Sequence, residues 1–124
     1  MHRTITSIAG AAALALALAG CGSSGGSAKP AACTPVASSI TVGALNNLKF
    51  DAASYEATTG CVQMTYRNEG SLAHTLLVKG QPGFKLAVGD EDVGRLELKP
   101  GTYKLYCDVA GHEAAGMVAD LTVK

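Results

Sequence analysis

The chain has 124 residues, ten basic and ten acidic side chains, a formal net charge of zero and a hydrophobic share of 48%. That length holds one domain of ordinary size. The balanced charge gives no support to nucleic acid or an anionic membrane patch as a partner.

The front of the chain is not part of that domain. "MHRTITSIAGAAALALALAGC" has a short basic start, an alanine- and leucine-rich run from Ile5 to Ala19, then a small residue before a cysteine. As a helix the run would span roughly 22 Å, short of a bilayer core of roughly 30 Å. A secretory signal over residues 1–20 is expected rather than a membrane anchor. The stretch "LAGC", Leu18 to Cys21, resembles the lipobox of bacterial lipoproteins, which implies cleavage before Cys21 and acylation of that cysteine. Losing residues 1–20 removes Arg3 and leaves nine basic against ten acidic side chains. The segment 21–32, "CGSSGGSAKPAA", then reads as a lipidated cysteine followed by a flexible tether with a mean reach of roughly 17 to 20 Å.

The domain is expected over residues 33–124. "SSITV", "LKFDA", "CVQMTYR", "HTLLVK", "GRLEL", "TYKLYC" and "MVADLTV" are short runs bounded by glycine, proline or asparagine, with no helical period and no internal repeat. About seven strands in 92 residues suggest an all-β sandwich. Side chains alternate along a strand, so Tyr103, Leu105 and Cys107 share one face. Met117, Ala119, Leu121 and Val123 share another, and His74 falls in with Leu76 and Val78. All three ends aim inward at the margin of a core.

Four cysteines are present. With Cys21 assigned to lipid, Cys33, Cys61 and Cys107 remain in an exported domain, where disulfides persist. Three cannot all pair. A bridge between Cys33 and Cys61 is expected, which would staple the amino-terminal segment to a strand; free or mispaired thiols are the alternative. Cys107 is the odd one out. The mature chain has two histidines, His74 and His112, and beyond Met64 one methionine, Met117. One thiolate, two imidazoles and a weak thioether suit copper in a one-electron site. Zinc accepts the same thiolate and imidazoles but gains little from a thioether, so copper is favoured. Gly111 and Gly116 relax the backbone beside two of these residues.

From about residue 40 to its end the chain resembles the cupredoxins, the small blue copper proteins. "LKFDAASYEATTG" is similar to the family's second strand region, "RNEGSLAHTLLVKG" to the stretch bearing its first ligand histidine, and "LKPGTYKLYCDVAGHEAAGMVADLTV" to its closing ligand loop. Four residues separate Cys107 from His112 and four more separate His112 from Met117, a spacing similar to rusticyanin, sulfocyanin and auracyanin. Plastocyanin has a shorter first gap and azurin a shorter second. The resemblance implies a Greek-key β-sandwich of about seven to eight strands around one type 1 copper ion. His74, Cys107 and His112 would be its equatorial ligands and Met117 its axial one. It gives Thr75 the task of tying the two ligand loops by a hydrogen bond near Cys107. Ala110 stands where many relatives have proline and Ala119 where many have glycine, so a less rigid loop is expected.

The implied function is one-electron transfer between redox proteins such as a cytochrome or a respiratory oxidase complex, by a monomer anchored through Cys21 outside the cell membrane or in the periplasm. Electrons would pass at the edge of His112, among Ala110, Gly111, Ala114, Ala115 and Gly116, with Asp108 and Glu113 interrupting the apolar patch. Lys79, Lys85, Lys99 and Lys104 read as ordinary solvated charges. The second hypothesis is copper delivery or storage, although such sites tend to be rich in methionine or histidine and the mature chain has two of each. Enzymatic turnover is not expected, because a second copper centre needs further histidines.

Overall fold

The computed structural model describes residues 29–124; the expected signal segment 1–20 and Cys21 lie outside the described residues. Nine strands follow in order: β1 Val36–Leu45, β2 Lys49–Phe50, β3 Ser54–Ala57, β4 Gly60–Asn68, β5 Leu76–Val78, β6 Lys85–Leu86, β7 Glu91–Leu98, β8 Gly101–Tyr106 and β9 Val118–Val123. They form two mixed sheets, β2-β1-β4-β7 and β3-β9-β8-β5-β6. The all-β sandwich is as expected. The strand count rises because β3 and β6 are too short to show a period, and "LKFDA" keeps only two residues as strand β2.

Alternation places the core between the sheets. Along β4, Val62, Met64 and Tyr66 are buried, and along β7 Leu96 and Leu98 answer them. Ile40, Val42 and Ala44 of β1 join from the parallel neighbour, with Ile40 opposite Met64. The other sheet contributes Leu76, Val78, Leu105, Leu121 and Val123. Each such leucine or valine is worth roughly 1.5 to 3 kcal/mol when fully buried, an upper estimate against a partly collapsed unfolded chain.

The amino-terminal segment is held by a disulfide between Cys33 and Cys61, at the start of β4. Cys107 is the free cysteine among the described residues, and it is buried.

Candidate metal centre

Strand register brings the unusual residues to one end of the five-stranded sheet. β5 and β8 pair antiparallel with Leu77 opposite Tyr106, so continuing the ladder by two residues sets Thr75 beside Asp108. β8 and β9 pair with Tyr106 opposite Val118, and one step further Cys107 donates its backbone N–H to the Met117 carbonyl at 3.2 Å. Cys107 therefore sits between the approach to β5, which carries His74, and the start of β9, which carries Met117. "HTLLVK" is strand only from Leu76, so His74 and Thr75 lie in the incoming loop.

The donor atoms converge. The Nδ1 atoms of His74 and His112 are 3.2 Å apart, and the Cys107 Sγ lies 3.5 Å from His112 Nδ1. The three ligand atoms all lie within 4.8 Å of one another. Two nitrogens bound to one ion at about 2.0 Å would stand roughly 3.3 Å apart, with a thiolate sulfur slightly further off, so this spacing matches a shared metal. Met117 is fully buried in the same core cluster as Cys107, and its backbone amide donates to the His112 carbonyl at 3.0 Å. The chemistry of the set, one soft thiolate, two imidazoles and a thioether, fits copper. A second cluster, Cys33, Cys61 and Glu97, is no rival, because its two sulfurs are consumed by the disulfide.

Burial lowers the pKa of His74, the neighbouring His112 ring lowers it further, and the Leu45 backbone pulls weakly the other way. Both causes favour the neutral ring, the form that binds metal. Its Nε2 is buried with no partner in hydrogen-bond geometry. Tyr66 donates its hydroxyl to the His74 carbonyl at 3.2 Å, which ties the loop to the opposite sheet. Burial, followed by the Cys107 and Asp92 charges, pushes the Tyr66 phenol up to about 12.

The loop between Cys107 and Met117 is better braced than Ala110 suggests. His112 N–H donates to the Val109 carbonyl, Ala115 to Gly111, and Gly116 to Glu113, all at 2.9 to 3.0 Å. Gly111 and Gly116 take φ of 83° and 99°, the left-handed region where a side chain strains the backbone. Three lysines clamp the loop from outside. Lys49 reaches the Ala115 carbonyl at 3.0 Å, Lys79 pairs with Glu113 at 2.6 Å while lying 4.7 Å from the Tyr106 ring centre, and Lys85 pairs with Asp108 at 3.0 Å. Lys79 and Lys85 are therefore not merely solvated, and Asp108 and Glu113 are not free charges on the patch. The pattern of alternation could not reveal this, since each partner is more than 20 residues away. Lys104 is likewise ion-paired, to Asp120 at 2.5 Å on the strand surface, so it too is more than a solvated charge.

Around the thiol, the Thr75 amide points at Sγ from 3.4 Å. The Thr75 hydroxyl stands 3.5 Å from Sγ and 2.8 Å from Asp108 Oδ1, and accepts the Asp108 backbone N–H at 2.9 Å. Burial tends to raise the Asp108 pKa, but hydrogen bonds from Thr75 and Lys85 outweigh it and leave the carboxyl below its ordinary range. His112 is half-buried, beside a shallow hollow lined by Val109, Ala110, Gly111, Glu113 and Ala114.

No protein-family model matches the chain, and no curated protein does. Solved structures do. A dithionite-reduced auracyanin from the photosynthetic bacterium Roseiflexus castenholzii is similar with a TM-score of 0.61 at 19% identity, covering 73% of this chain and 99% of its own. Auracyanin B is similar with a TM-score of 0.61 at 21% identity, covering 81% and 96%. The chain has the cupredoxin fold and carries, at one end of it, the two-histidine, cysteine and methionine set typical of a blue copper site.

Proposed function

We propose that this protein is a one-electron carrier that holds a single type 1 copper ion with His74, Cys107 and His112 as equatorial ligands and Met117 as the weak axial one. The observation that carries this reading is the convergence of two imidazole Nδ1 atoms, 3.2 Å apart, on a fully buried thiol. Copper, when bound, supplies the one-electron couple; the protein supplies the frame. His74 and Cys107 lie just beyond the paired strands β5 and β8, whose ladder holds their donors in place. Burial of Cys107 and Met117 under the sheet edge excludes water as a further ligand. His112 alone reaches the surface, among small side chains that let a partner's redox group come close.

The likeness to auracyanins supports the electron-transfer reading over copper delivery or storage. So does the closed, strand-braced cluster, because a donor site must open to release its metal. Partner redox proteins, such as a cytochrome or an oxidase complex, would dock over the hollow beside His112. The domain 33–124 hangs on the tether 21–32, with Cys21 lipidated after removal of residues 1–20, which keeps it at the outer or periplasmic face of the membrane. The motif "LAGC" supports that placement.

Two measurements test the reading. The mature protein loaded with copper should show an intense thiolate-to-copper absorption and the narrow copper hyperfine splitting of a blue site. Repeated reduction and reoxidation should return the full absorption with no metal lost to a moderate chelator. Loss of copper at every reduction would replace the carrier reading with delivery. For the anchor, Cys21→Ser should abolish lipid seen by mass spectrometry and release the protein from the membrane fraction. A wild-type protein without lipid would remove the anchor.

A further inference from the structure

The Thr75 hydroxyl has one proton and two acceptors that compete for it. Asp108 Oδ1 is 2.8 Å from the hydroxyl oxygen, an ordinary O–H···O distance, whereas Cys107 Sγ is 3.5 Å away. A carboxylate oxygen is also the stronger acceptor, because its bonds are charge-assisted and sulfur accepts weakly. Lys85, 3.0 Å from Oδ2, holds the carboxylate in that position from the far side. The Asp108 backbone N–H occupies a lone pair of the same hydroxyl at 2.9 Å and so fixes its rotation. An ionised carboxylate has no proton to return, so the hydroxyl donates outward to Asp108 and not inward to sulfur. The thiolate is left with one donor, the Thr75 amide at 3.4 Å.

We propose that Asp108 is a positioning residue for the copper site: it keeps the Thr75 hydroxyl proton away from Cys107 Sγ and thereby keeps the reduction potential low. This rests on the copper reading given above. A hydrogen bond to the thiolate withdraws electron density from sulfur, which weakens its bond to Cu(II) more than to Cu(I) and raises the potential. Withholding that bond has the opposite effect. The device needs both residues, since Asp108 acts through the Thr75 hydroxyl.

The test uses the copper-loaded protein and three variants, Asp108→Ala, Thr75→Val and the two combined, with the thiolate-to-copper band and the potential as readouts. In Asp108→Ala the freed hydroxyl turns to sulfur, so the band moves to shorter wavelength and the potential rises. Thr75→Val alone should leave the band near its wild-type position, and the double variant should bring it back there. Loss of the carboxylate charge also raises the potential, but that part persists without the hydroxyl, so the cycle separates the two. The inference is overturned if Asp108→Ala moves the band equally with and without the Thr75 hydroxyl. It is also overturned if Thr75→Val by itself moves the band to longer wavelength, which would mean that the hydroxyl already donates to sulfur. Where Asp108→Ala does not hold copper, Thr75→Val decides alone. A wild-type protein that never develops the band instead sinks the copper reading, and this inference with it.

Discussion

Lys49 reaches from the two-residue strand β2 to the ligand loop and places its ammonium 3.0 Å from the carbonyl of Ala115, 66 residues away. The same ammonium is 3.4 Å from the Gly116 carbonyl, and a Cβ added at Gly116 would collide with the Lys49 Nζ. Lys49→Met should therefore loosen the residues just before Met117. The contact is exposed, so the cost in global stability is no more than about 1 kcal/mol. The local effect is larger, and hydrogen exchange at the Ala115 to Met117 amides should speed up. Gly116→Ala should do more harm, because it displaces the lysine and forces a side chain into φ of 99°, at about 1 to 3 kcal/mol. Equal exchange rates in Lys49→Met and wild type would show that the lysine does not brace the loop.

Tyr66→Phe removes the hydroxyl that donates to the His74 carbonyl in the core. The carbonyl is left without that donor, so denaturant unfolding should show a loss of about 1 to 3 kcal/mol. The ring remains and the ligands are untouched, so the copper spectrum should change little. An unchanged midpoint of unfolding would count against the bond.

Removing the disulfide by Cys33→Ser with Cys61→Ser should lower stability without altering the metal site. The bridge closes a loop with a sequence separation of 28, worth about 3 to 4 kcal/mol in the chain-entropy model. Thiol labelling of the unfolded, metal-free, non-reduced Cys21→Ser protein should modify Cys107 alone. Label on Cys33 or Cys61 would refute the pairing.

Met117→Leu should keep the blue absorption and raise the potential, since loss of the weak thioether donor disfavours Cu(II) more than Cu(I). The buried, nearly isosteric swap should cost under about 1.5 kcal/mol in stability. Cys107→Ser should abolish the intense absorption, because its origin is the thiolate. Survival of the band in Cys107→Ser would assign it to another chromophore.

Much of this site was legible in the chain because its cues are local. The even steps of Cys107, His112 and Met117 lie on one loop, and the alternation Leu105–Cys107 and Met117–Ala119 turns their side chains inward whatever strands lie beside them. Those two facts rest on bond geometry and the period of a strand, which a linear sequence carries in full. Three features depended on the tertiary structure. His74 meets His112 only because β5 pairs with β8 in one register, and a slip of one residue would turn it to the other face. Lys49, Lys79 and Lys85 look like any exposed lysine until folding sets an acceptor within 3.0 Å of each. Thr75 was visible as a tie between two loops, but which acceptor holds its proton was not. That is decided by a difference between 2.8 and 3.5 Å across two strands, and such a difference exists only once packing has placed residues 33 apart in sequence side by side.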